Sequence, residues 1–254
     1  MKSMSFVLVL LTLGCALHRL EPLVPREVSL TRVDNPVLAE THREALRSWA
    51  GRIEAFAATA RAEVERAGER LEVMQILLLQ PPEHLLIETL AFGRPVHKLA
   101  LVGRRFELLE LPSGRVRRGE LSDLAGVPLP LTGVPTAWLL ALLSGRPFVA
   151  DHEVWRMAEG RDGQGRLLRL HEFILRGKPV QRLVEAVGSS VLQGCELYDG
   201  RGKLSLAVRY REHGPDGPAE VLFFDPAAEA SYRLHYLTRV RREIPLELFR
   251  LQDW

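Results

Sequence analysis

Two cysteines, eight histidines and several glycine-rich turns are the residues whose types could support chemistry in this chain. The histidines, at positions 18, 42, 84, 97, 152, 171, 213 and 235, show no metal-ligand spacing. His171-Glu172 begins the zinc-helix motif, but position 175 is leucine where the second imidazole would stand. "GRDGQG" and "YDGRGK" each lie between strand-like runs and read as hairpin turns rather than phosphate cradles. Ser189-Ser190 follows Gly188 in a turn, and no Gly-x-Ser-x-Gly elbow is present. The expectation is a binding protein rather than an enzyme, with no catalytic residues, no metal and no cofactor.

Cys15 is different. "MKSMSFVLVLLTLGCALHR" opens with Lys2, runs through an apolar core and stops at Gly14-Cys15. A charged start followed by a short apolar run is the layout of a secretory signal, and about 10 apolar residues are half of what a spanning helix needs. Leu11-Thr12-Leu13-Gly14-Cys15 resembles a bacterial lipobox, in which the signal is cut before the cysteine and the new N-terminus is acylated. Residues 1–14 are therefore expected to be a lipoprotein signal peptide, and Cys15 the lipidation site. Two or three acyl chains, palmitate among them, hold a protein stably at a bilayer surface.

The remaining cysteine, Cys195, sits in "VLQGCELYD", where Val191, Gln193, Cys195 and Leu197 are expected to share one strand face and to pack. No internal disulfide is then available. The formal net charge is +2, and loss of residues 1–14 lowers it by one. So balanced a chain carries no electrostatic footprint for nucleic acid. Residues 15–35 hold Pro22 and Pro25 without periodicity and read as the lipidated cysteine with a flexible tether. About 20 extended residues reach roughly 60 Å. Residues 36–254 fall within the size of a single β domain.

The elements of that domain follow from periodicity. Asn35-Pro36 starts a helix that Gly51 ends. "RIEAFAATARAEVER" and "RLEVMQILLLQ" form a hairpin across Ala67-Gly68, and "LLIETLAFGRPVHKLAL" forms another with Phe92 at its turn. "LPLTGVPTAWLLALLSGRP" is a helix apolar nearly all round, which must be buried or must cover an apolar surface. Strands then resume. Leu204, Leu206, Val208 and Tyr210 alternate with Ser205, Arg209 and Arg211, while Tyr232, Leu234, Tyr236 and Val240 oppose Arg233, His235 and Arg239. An antiparallel sheet with one apolar face must close, stack or be covered. The inventory predicts a mainly β fold: an unclosed antiparallel β-barrel, or half-barrel, with an N-terminal helix and a short helical lid in its mouth. A packed sandwich is the alternative. The half-barrel would hold an apolar cavity walled by Trp138, Leu142, Leu206, Val208, Tyr210, Leu234 and Tyr236.

"QILLLQPPEHLLIETLAFGRPVHKLALVGRRFELLEL" followed by "GVPLPLTGVPTAWLLALLSGRP" resembles the LolA/LolB lipoprotein-carrier superfamily, and LolB-like outer-membrane lipoproteins most closely. The resemblance implies an unclosed barrel with helices as its lid. It also implies binding of the acyl chains of other lipoproteins, received from a periplasmic LolA-like carrier and delivered to the outer membrane of a Gram-negative bacterium. The protein would be a monomer lipid-anchored at the periplasmic face. Ala91, Phe92 and Gly93 would then be the tip that meets membrane or cargo, with Arg94 and Lys98 beside headgroups. A non-transport envelope lipoprotein, using the same scaffold for a free lipid or a protein partner, is the alternative.

Overall fold

The computed structural model describes residues 31–32, 36–123, 134–162, 164–189 and 191–251. After a two-residue strand β1 (Thr31–Arg32) and helix α1 (Pro36–Ala50), six strands follow as a meander. They are β2 (Phe56–Arg66), β3 (Glu69–Gln80), β4 (His84–Ala91), β5 (Arg94–Val102), β6 (Arg105–Glu110) and β7 (Arg115–Glu120). Helix α2 (Thr136–Ser144) precedes a second meander. Its strands are β8 (Val154–Arg161), β9 (Leu167–Leu175), β10 (Lys178–Ala186), β11 (Val191–Tyr198), β12 (Leu204–Gly214), β13 (Gly217–Asp225) and β14 (Ala230–Arg241).

The two meanders make one sheet because β14 pairs with β2 from Ala230↔Arg66 to Arg241↔Phe56. The strand order is β1-β8-β9-β10-β11-β12-β13-β14-β2-β3-β4-β5-β6-β7, with β1 and β7 as the outer members. The mainly β half-barrel expected from the sequence is the observed fold. Thr31 and Arg32, inside the stretch read as a tether, already pair with Glu159 and Ala158 of β8. Since every pair of neighbouring strands is antiparallel, turns alternate between two rims. The turns at 67–68, 92–93, 111–114, 176–177, 199–203 and 226–229 share one rim, and those at 81–83, 103–104, 187–189 and 215–216 share the other.

Both helices lie on the concave face. The sequence TAWLLALLS leaves α2 no polar side, and Leu139, Leu140, Leu142 and Leu143 are buried among Phe56, Leu77, Leu85, Val221 and Leu234 of the curled sheet. Gly145, left-handed at φ 67°, ends the helix, and the N–H groups of Gly145 and Arg146 return to the carbonyls of Leu142 and Ala141. Tyr236 donates its hydroxyl to the Leu143 carbonyl at 2.9 Å. Helix α1 covers β8–β10 instead. Arg43 lies 5.2 Å over the Trp155 ring, which stacks on His171 at 5.7 Å. On the convex face the C-terminal segment packs Ile244, Phe249 and Leu251 against Leu78, Leu86 and Ala100.

Two face assignments need correction. In β14 the pairing slips between Tyr236 and Thr238, so Leu237 is extruded as a bulge. Because side chains alternate with period two, one extra residue reverses everything after it. Arg239 consequently turns inward, its guanidinium 3.9 Å over the Phe56 ring, and Val240 faces solvent. In β11 a slip opposite Val184/Glu185 brings Leu192 inside beside Cys195 and Leu197, in place of Val191 and Gln193.

Candidate functional site

Three turns on the first rim share one backbone. Ala67-Gly68, Phe92-Gly93 and Arg176-Gly177 each place a residue at φ 52° before a glycine of positive φ. Two consecutive left-handed residues are the signature of the tight I′ hairpin, which suits the twist of the strands it joins. The turn thus dictates the backbone and leaves the first side chain free. Alanine and arginine fill it elsewhere. Phe92 fills it with an aromatic ring that is fully exposed, at 105% of its reference area. A bulky residue in the left-handed region costs of order 1–3 kcal/mol, and this ring recovers none of it through packing. Ala91 is half-buried at the end of β4 and Gly93 is open above. Arg94 is exposed beside the ring, whereas Lys98 is buried and lies 3.4 Å from Glu88. Lys98 thus points to the convex face shared with Leu86 and Ala100 and is held there by Glu88, rather than standing exposed beside the ring as expected.

A cavity of about 440 Å³ opens beside the start of α2. Val134, Pro135, Trp138, Ala150, Leu175, Val180, Leu197 and Leu206 form its apolar wall, and Asp151, Tyr198, Ser205 and Asp225 its polar edge. Leu175, Tyr198, Ser205 and Asp225 stand at the rim that carries Phe92. Trp138 stacks on Phe148 at 4.5 Å. The loop behind it is pinned by Gln181, whose amide donates to the Phe148 carbonyl and accepts from the Ala150 N–H, both at 2.9 Å.

Of the seven residues expected to wall a cavity, Trp138 and Leu206 line this one. Leu142, Val208, Tyr210, Leu234 and Tyr236 are buried against one another in the main core. Their inward direction was legible from alternation, but α2 occupies the space they face. The missed wall residues Leu175, Val180 and Leu197 come from β9, β10 and β11. The parity that put Cys195 inside also pointed Leu197 inward. Cys195 itself is buried, and burial pushes its thiol up to about 12, so it is a packing residue.

Elsewhere on the concave face, beneath α1, the lining is ionic. Arg169 bridges Glu159 and Glu185, each at 2.6 Å, and His171 Nε2 lies 3.4 Å from Glu185. Burial alone would raise the Glu185 carboxyl, but His171 and Arg169 win and hold it below the usual carboxylate value. A second, larger hollow of about 880 Å³ lies at β5–β7 and the C-terminal segment. Arg105, Glu107, Arg118, Glu120, Asp123 and Arg250 line it together with Ala100, Val102, Phe106 and Phe249, so it mixes charged and apolar side chains. Among the described residues no cluster of histidine, cysteine and acidic side chains suits a metal. Cys15 and the signal segment 1–14 lie outside the described residues.

The backbone path of this half-barrel has solved counterparts. A LolA superfamily protein from Nitrosomonas europaea superposes with a TM-score of 0.54 at 14% identity, over 83% of this chain and 98% of that one. The chain has a LolA/LolB-like fold. A DUF1329 family protein from Desulfovibrio piger gives 0.56 at 12% identity, over 86% and 99% of the two chains. A domain named for outer membrane lipoprotein sorting, from Vibrio parahaemolyticus, gives 0.51 at 13% identity, over 84% and 95%. No protein-family model matches the sequence, and no curated protein matches it. The LolA-like likeness is thus one of backbone path, with few residues in common.

Proposed function

We propose that this LolA-like chain is a lipid-anchored envelope protein that holds an acyl chain of another lipoprotein in the pocket beside Trp138. It releases that chain into a membrane met by the Phe92 rim. The observation that carries the reading is Phe92 itself, a fully exposed aromatic in a strained turn on the rim where the apolar pocket opens. Buried in a bilayer, such a ring is stabilised by roughly 1.5–3 kcal/mol, enough to bias docking and weak enough to release. In this reading Cys15 bears the anchor, the residues that follow it form the tether, and a periplasmic carrier of the same fold supplies cargo at the periplasmic face of the outer membrane. The lipoprotein-sorting name of the Vibrio domain agrees with that role.

The test is transfer of a bound acylated protein to liposomes. Phe92→Glu is expected to abolish transfer while leaving acyl binding and the melting temperature unchanged. A sharp fall in melting temperature would make the ring a core residue and end this reading. A second reading, a scaffold for a free lipid or a protein partner, is favoured by α2, which fills the centre of the concavity with the chain's own leucines.

A further inference from the structure

The convex face carries an apolar band across five strands. Val240, Ala57, Leu78, Leu86 and Ala100 stand side by side in register on β14, β2, β3, β4 and β5. An antiparallel sheet with one face on a core usually keeps its other face polar and solvated, so an apolar band there needs a cover. The C-terminal segment supplies it over β3–β5, where Ile244, Phe249 and Leu251 pack on Leu78, Leu86 and Ala100. Side chains of the sheet fasten its ends: Gln80 accepts the Ile244 N–H at 2.9 Å, and Glu107 accepts the Leu251 N–H at 3.0 Å.

Over β14 the cover stops. Val240 ends the band and is 58% exposed. One row nearer the Phe92 rim, Thr238, Thr59 and Ile76 stand in register, and Ile76 is 37% exposed. The bulge adds Leu237, extruded beside Thr238 and 52% exposed. An exposed leucine standing alone needs no explanation. Three apolar side chains in adjoining positions, continuous with a band that the chain covers elsewhere, form a patch. Its borders hold both signs of charge. Arg61 and Glu72, 3.9 Å apart, lie toward the Phe92 rim, and exposed Arg242 and Glu243 lie toward the other. A surface balanced in this way can face an identical surface without net repulsion. Carboxylates on both borders make it a poor face for an anionic bilayer.

We infer that the chain pairs with a second copy of itself through the convex face of β14, β2 and β3, in place of the monomer that its sequence resemblance implies. The contact is isologous, with Leu237, Val240 and Ile76 of each copy meeting the same patch on the other. It is independent of the acyl-binding reading and leaves the concave face and the Phe92 turn uncovered. Stable interfaces bury roughly 800 Å² on each partner, and so small a patch falls short of that, so the dissociation constant should be on the order of 10–100 µM. Sedimentation equilibrium tests this on the full chain carrying Cys15→Ala, against the same chain with Leu237→Glu and Val240→Glu added. The expected result is a monomer–dimer equilibrium in the first and at least tenfold weaker pairing in the second. The melting temperature in dilute solution should be the same in both, because the two side chains are exposed. A short bismaleimide should join two copies through Val240→Cys and not through Asp216→Cys, with Cys195 buried and silent. This cross-link reads the contact even where the glutamates disturb folding. A chain that stays monomeric up to about 1 mM, a dimer untouched by the two glutamates, or equal cross-linking at positions 216 and 240 would each overturn the inference. A dye on Val240→Cys that shifts to the blue with vesicles, in a chain that does not self-associate, would assign the patch to a bilayer and overturn it as well.

Discussion

Phe92 separates what the backbone demands from what the side chain is for. Ala67 and Arg176 take the same left-handed first position in equivalent turns, so the turn itself does not call for an aromatic ring. Asparagine tolerates that conformation better than a bulky side chain does. Phe92→Asn is therefore expected to leave the melting temperature unchanged or raise it slightly, by up to about 1 kcal/mol of stability, while removing transfer to liposomes. Thermal melting and a transfer assay on one preparation check both halves. A residue whose replacement stabilises the fold and destroys an activity is held there by the activity. The sequence exposed this residue because Gly93 and Pro95 punctuate the turn beside it. The fate of Lys98 was not legible, since its burial depends on Glu88 opposite it across the hairpin.

At the scale of elements, α2 and α1 divide the concave face between hydrocarbon and charge. Leu142→Ala in α2 removes a side chain with no exposed surface and should cost about 2–5 kcal/mol, read by chemical denaturation. Beneath α1 the sign of the pH effect follows from two groups. Burial first, and then Arg169, lower the His42 pKa below its ordinary 6.5. The folded protein then binds fewer protons than the unfolded chain in that range. Stability is complete above pH 6.5 and drains as pH falls through the folded value. Glu185, depressed by His171 and Arg169, adds a second loss at lower pH, as its carboxyl protonates. Melting temperature should fall in two stages on acidification, and His42→Gln should remove the first. Both helices could be read from their caps and composition: Gly145 closes α2, and an all-apolar helix must be buried. What α2 displaces could not be read. Alternation shows which face Val208, Tyr210 and Leu234 take but not what stands opposite them. Similarly, nothing local marks the bulge at Leu237, which exists because β14 and β2 must stay paired past it.

Across the whole molecule, the consequence of an uninterrupted antiparallel order is that function can be assigned to a rim. The pairing of β14 with β2 joins residues about 180 positions apart in sequence, which local periodicity never reveals, although the half-barrel itself followed from counting strands against scarce helices. With that join made, the Phe92 turn and the mouth of the 440 Å³ pocket fall on one rim, and the Pro215-Asp216 turn falls on the other. A protein that delivers its ligand through the Phe92 rim must approach the bilayer with that rim first. Site-specific labelling can measure this, because Cys195 is buried and its thiol is pushed up to about 12, leaving it unreactive at neutral pH. In a chain with Cys15 replaced, an environment-sensitive dye on Phe92→Cys is expected to shift to the blue when vesicles are added. The same dye on Asp216→Cys should stay at its aqueous wavelength. Equal shifts at both positions would mean that the molecule lies on its side at the surface, and the rim would lose its claim to be the delivery end. A shift confined to position 216 would reverse the orientation and place the pocket mouth away from the membrane, where release into a bilayer has no path.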